Sequence, residues 1–121
     1  MILFIEYPKC TTCQKAKRYL ETKGVEFTPR HIKENPPTYE ELRAWHAASG
    51  LPLRRFFNTS GLLYKALKLK EKLPEMSEEE QLRLLATDGM LVKRPILLTD
   101  NALRVGFREA DWDEVLPAEG K

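Results

Sequence analysis

Ile2-Leu3-Phe4-Ile5-Glu6-Tyr7-Pro8-Lys9-Cys10-Thr11-Thr12-Cys13-Gln14-Lys15 is the stretch on which the reading of the fold turns. Ile2 to Glu6 is rich in apolar and β-favouring residues and predicts a buried strand. From Thr11 to Lys23, apolar Cys13, Ala16 and Leu20 recur at helical spacing. Tyr19 lies beside them, with Lys15, Lys17, Arg18 and Lys23 on the remaining faces. The only two cysteines of the chain therefore fall at a strand-to-helix turn. A sulfur placed there lies near the unpaired N–H groups of a helix N-terminus, which favour a thiolate. Each pKa unit of depression corresponds to about 1.4 kcal/mol in favour of the charged form. The turn points to thiol redox chemistry.

Working outward, Gly24 supplies a helix stop, and Val25 to Ile32 alternates imperfectly as a second strand, parallel to the first in a βαβ opening. Pro36-Pro37 then interrupts the chain. Thr38 with Glu41 forms a capping-box signature ahead of a helix carrying Leu42, Trp45 and Ala48, which Gly50 ends before Pro52. Phe56 to Gly61 reads as a turn leading into a short helix around Leu62 to Leu67. Lys68 to Glu75 reads as a charged connector. Ser77 and Glu80 form a second capping box, opening a helix through Leu82, Leu85 and Ala86 that Asp88-Gly89 terminates.

Ile96-Leu97-Leu98 and Ala102-Leu103-Arg104-Val105 flank the polar turn Thr99-Asp100-Asn101 and predict an antiparallel hairpin. Asp111 and Glu114 are expected to cap a last short helix near Trp112, Val115 and Leu116. The order is βαβ, a helical block, then ββα. It predicts an α/β chain of the thioredoxin/glutaredoxin-like type, a four-stranded mixed sheet with a helical insertion. The expected core covers about residues 1–34 and 90–118, and the insertion about 36–88, within a single domain spanning 1–121.

A chain of 121 residues has the size of one domain. Its 42% hydrophobic and 31% charged content is that of a globular protein. A net charge of +2 gives no electrostatic case for nucleic acid. The apolar run at the start is too short for a signal peptide or a bilayer span, so the expected location is the cytoplasm, without membrane attachment. There, two cysteines at this spacing point to catalysis or metal binding more than to a structural staple.

Three residues apart on one helix face, Cys10 and Cys13 are close enough for a disulfide to form and break with little backbone movement. Cys10, nearest the helix start, is the expected nucleophile. Cys13, one turn in, is the expected resolving thiol. Two ordinary buried cysteines would be the plainer reading, and the spacing and context weigh against it. Zinc usually needs four ligands, and the chain offers no second C-x-x-C, while His31 and His46 stand alone, so no metal is expected. Nor is a cofactor. Lys9 either lowers the Cys10 pKa or points into water. Thr11 and Thr12 would supply N–H groups around the Cys10 sulfur, cap the helix, or do both. Arg94-Pro95 marks the entry of the third strand. Should that peptide bond be cis, the turn would face the cysteines and Arg94 would offer a bidentate fork to an oxyanion or thiolate.

With the cysteine turn, Asn58-Thr59-Ser60-Gly61 and Lys93-Arg94-Pro95-Ile96-Leu97 in place, residues 1 to 118 resemble the ArsC/Spx family. That family holds glutaredoxin-linked arsenate reductases, the redox-sensing transcriptional regulator Spx and small bacterial relatives. The resemblance implies a thioredoxin-like fold with a helical insertion, a nucleophile at Cys10 and a cis-proline at Pro95, where substrate docks beside Thr11 and Thr12.

The departures from that pattern bear on substrate. Arsenate reductases of this type use one cysteine and three arginines. The first arginine would fall at the Asn58–Gly61 turn, where this chain has Ser60. The third would follow Gly106, where Phe107 stands with Arg108 one residue late. Only Arg94 is kept, and Arg54, Arg55 and Arg108 would compensate only if folding brought them in. The expected function is thus a thiol–disulfide oxidoreductase, with glutathione, glutaredoxin or thioredoxin as electron donor and the protein a monomer. The alternative is an Spx-like redox-gated regulator that binds the RNA polymerase α subunit, for which Gly50 is the only local sign. Arsenate reduction comes third.

Overall fold

A computed structural model describes residues 1–117, so the expected end of the core at 118 lies outside the described residues. The elements run β1 (Leu3–Glu6), α1 (Thr11–Thr22), β2 (Thr28–His31), α2 (Tyr39–Ser49), α3 (Leu62–Ala66), α4 (Leu69–Lys72), α5 (Glu78–Leu85), β3 (Ile96–Leu98), β4 (Leu103–Val105) and α6 (Glu109–Asp113). Single 3-10 turns lie at Leu53–Phe56, Leu73–Glu75 and Gly89–Leu91. By their contacts the residues form two units. One joins Met1–His31 to the chain from Arg94 onward, and the other is Ile32–Lys93.

In the first unit the strands lie in the order β2-β1-β3-β4. β1 runs parallel to β2, with Phe4 opposite Pro29. It is antiparallel to β3, with Phe4 opposite Leu97, and β3 is antiparallel to β4. This is the four-stranded mixed sheet expected from the sequence. Its packing follows from the α1 spacing: Phe4, Ala16, Leu20, Leu97 and Trp112 form one buried cluster. The Phe4 ring meets Trp112 edge-on at 6.1 Å and Phe27 at 5.6 Å. Burying each such large side chain is worth about 1.5–3 kcal/mol. Trp112 Nε1 donates to the Gly106 carbonyl at 3.0 Å, so its one polar atom is satisfied inside the core.

β2 is shorter than expected. Val25 is buried, but its N–H donates to the Leu20 carbonyl at 3.2 Å. That bond closes the end of α1, where Gly24 sits at φ +70°, and the strand can start only at Thr28. The last helix also differs. It begins at Glu109 with Arg108 at the N-cap position and no side-chain cap, whereas Asp111 was the expected cap. Trp112 N–H donates to the Arg108 carbonyl at 3.0 Å, so the turn that carries the indole inward starts three residues earlier.

In the second unit both capping boxes form. Glu41 N–H donates to Thr38 Oγ1 at 3.1 Å while Thr38 N–H donates to Glu41 Oε1 at 3.0 Å. Ser77 and Glu80 repeat the exchange at 3.1 and 2.8 Å. Gly50 closes α2 in the left-handed conformation, φ +69°, which glycine adopts without steric cost. Lys68–Glu75 is not a connector. It contains α4 and a 3-10 turn, because Leu69 and Leu73, four apart, are both buried and the lysines between them face water. Asp88 does more than end α5: its carboxylate accepts from Met90 N–H at 2.8 Å and opens the next 3-10 turn.

Candidate active site at the Cys10 turn

The loop between β1 and α1 is built tightly. Cys10 N–H donates to the Tyr7 carbonyl at 2.9 Å, closing a turn over Pro8 and Lys9. Gln14 Nε2, one turn into the helix, donates back to the Pro8 carbonyl at 2.8 Å. Cys10 is the N-cap residue of α1, extended at φ −83° and ψ 124°, and no acidic residue stands in the first turn. Its carbonyl takes the helical hydrogen bond from Gln14 N–H at 3.0 Å. Its side chain makes no cap hydrogen bond.

The two thiols are unlinked; Cys10 is half-buried and Cys13 buried. Burial pushes the Cys10 thiol up. The backbone N–H and thiol of Cys13, the backbone N–H of Thr12 and the positive charge of Arg94 together outweigh it and hold Cys10 below the ordinary thiol value. Cys13 goes the other way. Burial pushes it up to about 12, against a backbone hydrogen bond from Tyr7, and the charge of Cys10 pushes in the same direction as burial. The Tyr7 N–H stands 3.5 Å from Cys13 Sγ. One turn of helix thus carries one thiol disposed to ionise and one held protonated.

The Arg94–Pro95 peptide bond is cis, and Pro95 is buried. The guanidinium carbon of Arg94 lies 5.3 Å from the centre of the Tyr7 ring, within cation–π range. His31, from β2, meets the same ring edge-on at 5.8 Å. Lys17, one turn beyond Cys13, reaches the buried Glu6 carboxylate at 3.3 Å.

The charge of Arg94 bears on both Cys10 and Cys13. Thr11 and Thr12 are the first helical residues, with exposed side chains. The N–H groups that act on the Cys10 sulfur are those of Thr12 and Cys13. Lys9 is exposed. Phe107 is a packing residue, its ring 4.8 Å from Trp112 and 5.4 Å from Tyr19. Arg108 is exposed with Asp111 at 3.8 Å, and Arg104 is spent on Glu114 and two backbone carbonyls. Ser60, in the other unit, bonds to the Asn58 side chain at 3.3 Å. Sequence reading missed Tyr7. The available signal was an aromatic residue directly before Pro-x-Cys. Among the described residues no three of His, Cys, Asp or Glu gather where they could hold a metal ion, and no helix is long and apolar enough to cross a membrane.

A mixed sheet whose first strand runs into a cysteine-capped helix, with an Arg-cis-Pro turn leading into the third strand, is a thioredoxin-like arrangement of the arsenate reductase type. The chain belongs to the ArsC family, whose model matches residues 5–115. It is 54% identical to the uncharacterized protein YusI of Bacillus subtilis, over 93% of this chain and 96% of YusI. It is 32% identical to the regulatory protein MgsR of the same organism, over 91% of this chain and 86% of MgsR. Among solved structures, an ArsC family related protein from Bacteroides fragilis superposes with a TM-score of 0.93 at 53% identity, covering 95% of this chain and 97% of that one.

Proposed function

We propose that this protein is a cytoplasmic thiol–disulfide oxidoreductase, with Cys10 as nucleophile and Cys13 as resolving thiol. The observation that carries the reading is the opposite shift of the two thiols across one helical turn. The Cys10 thiolate attacks one sulfur of a disulfide, forming a mixed disulfide and expelling the other sulfur as a thiolate. That step removes the negative charge of Cys10, one of the influences holding Cys13 protonated. Cys13 then loses its proton to the departing thiolate and attacks Cys10 Sγ. The substrate leaves as two thiols, and the protein carries an internal disulfide, oxidised by two electrons. Glutathione, glutaredoxin or thioredoxin returns the electrons. In this reading the chain works as a monomer and as one ArsC-like domain, its core about 1–34 and 90–118 interrupted by the helices of 36–88. Pro95 shapes the surface on which the substrate disulfide docks beside Thr11 and Thr12.

Trapping tests the assignment. Cys13→Ser should accumulate a mixed disulfide at Cys10 when given a small disulfide, wild type should pass on to the internal disulfide, and Cys10→Ser should do neither. Equal turnover by Cys10→Ser and wild type would sink the reading, as would a wild-type protein that never closes the internal bond.

A second reading is favoured by the likeness to the regulatory protein MgsR. Here the same dithiol gates a partner surface, and the Spx resemblance suggests the RNA polymerase α subunit as partner. It predicts retention of that subunit in one redox state and little turnover of small disulfides. Arsenate reduction draws less support: Phe107 packs against Trp112, and Arg104 and Arg108 are paired toward α6.

A further inference from the structure

We propose that the disulfide this protein attacks lies in an acidic polypeptide segment, which docks along the outward face of α1 beside Cys10. The inference rests on the oxidoreductase reading and names the substrate class of that site.

Between Tyr7 and Leu20 the chain carries four basic residues and no acidic one, and without those four it would be net negative. The helix sorts them by face. Cys13, Ala16 and Leu20 form its buried stripe. Lys17 is neutralised by the buried Glu6 carboxylate at 3.3 Å, and Lys23, at the helix end, meets Asp113 at 3.2 Å. Thr11, Lys15 and Arg18, spaced four and three apart, share one outward stripe, and all three are exposed. That stripe begins at the residue next to Cys10. Lys9, on the other side of Cys10, is exposed as well. Among the described residues no ion pair or side-chain hydrogen bond engages Lys9, Lys15 or Arg18. Glu21, the one acidic residue of α1, lies beyond Arg18 and forms no ion pair with it.

The positive charges left uncompensated are thus the ones that flank the half-buried nucleophile. At 1.5 Å per residue, the Cα atoms of Lys15 and Arg18 stand roughly 8 and 12 Å along the helix axis from Cys10. Those separations are close to the Debye length of about 8–10 Å at ordinary ionic strength. Each charge alone is well screened. Several carboxylates held at fixed spacing meet all of them together, and a polypeptide supplies that spacing. Acidic side chains on either side of a disulfide would face Lys9 on one flank and Lys15 with Arg18 on the other. The exchange itself is unchanged: Cys10 bonds to one substrate sulfur and the other leaves as a thiolate.

The test follows mixed-disulfide formation at Cys10 in Cys13→Ser by mass spectrometry. The probes are peptide disulfides that differ only in bearing three Glu, three Gln or three Lys beside the cysteine. At about 20 mM salt the Glu peptide should react roughly tenfold faster than the Lys peptide, with the Gln peptide between, and at about 0.5 M salt the spread should close. Lys15→Glu with Arg18→Glu should erase or invert the order and leave the Gln peptide near its original rate. The neutral pair Lys15→Gln with Arg18→Gln should flatten the order, which covers a failure of the reversed variant to fold. An order that is flat, or unmoved by either pair, overturns the proposal. So does an equal slowing of oxidised glutathione and of the Glu peptide by the reversal, because the face would then serve small anions.

A second readout needs no disulfide. Iodoacetate and iodoacetamide draw on the same thiolate, so the ratio of their rates cancels the Cys10 ionisation and reports the surrounding charge. The reversal should lower that ratio roughly threefold, and an unchanged ratio counts against the proposal. If no peptide disulfide reacts at all, the oxidoreductase reading fails, whereas a reaction indifferent to charge sinks only this inference.

Discussion

Cys13 lends its backbone N–H and its thiol to the Cys10 sulfur, while the charge on Cys10 pushes Cys13 in the opposite sense. The pair behaves as a donor and an acceptor, and the sign of each effect can be read separately. Cys10 is held below the ordinary thiol value, so its thiolate persists as pH falls beneath the range where free cysteine protonates. Cys13, pushed up to about 12, stays a thiol throughout. Alkylation between pH 6 and 8, conditions set by the ordinary thiol value of about 8.5, should therefore modify one sulfur per molecule, at Cys10. Cys13→Ala removes one donor and leaves the helix N–H groups in place. It should shift the Cys10 profile upward and slow the reaction at pH 7 roughly threefold. Equal labelling of both cysteines at pH 7 would contradict this.

Trp112 closes the core of the first unit. Trp112→Ala should lose about 3–5 kcal/mol, seen as a lower urea midpoint. Trp112→Phe keeps most of the packing against Phe4 and Phe107 but leaves the Gly106 carbonyl without its indole donor. Its cost should be smaller, about 1–3 kcal/mol.

In the second unit a Cβ at Gly89 would stand 1.9 Å from the Ile32 carbonyl oxygen, and one at Gly61 would stand 2.6 Å from Asn58 Nδ2. The first neighbour is backbone and cannot swing away; the second is the end of a side chain. Gly89→Ala should therefore cost at least about 3 kcal/mol and Gly61→Ala clearly less. Thermal melts of the two variants side by side decide it, and equal losses would count against the argument.

The two capping boxes give a milder prediction. Thr38→Ala and Ser77→Ala should each lose about 1 kcal/mol by urea denaturation, with Thr38→Ser near wild type.

The parts of this molecule that were legible in its sequence are those governed by neighbours along the chain. Cys10 before a helical pattern, the Thr38–Glu41 and Ser77–Glu80 boxes and the Ile96–Val105 hairpin each carry their cause within a few residues. Where the reading slipped, the deciding contact lay elsewhere. Leu69 and Leu73 looked like isolated apolar residues in a charged run, and their burial comes from packing that no local pattern reveals. Val25 fits a strand by composition, yet its N–H is taken by the end of α1. Asp111 resembles a cap, but the helix start is set by where the Trp112 indole must point. The site divides in the same way. Cys10 and Cys13 stand close together in the sequence pattern, whereas the ring of Tyr7 meets the distant Arg94 only in the folded chain.

That distance along the chain has a consequence for synthesis. β1 pairs with β3 through Leu3 opposite Leu98, partners roughly 95 residues apart, a separation of the kind that slows folding. At about 5–20 residues per second, the ribosome delivers the cysteine turn several seconds before the residues that complete its sheet and bring in Arg94. During that interval the nascent chain presents Phe4 and Ile5 without β3 to cover them, and its Cys10 lacks the guanidinium. The cysteine turn is thus made first and meets its Arg94 partner only with the last third of the chain.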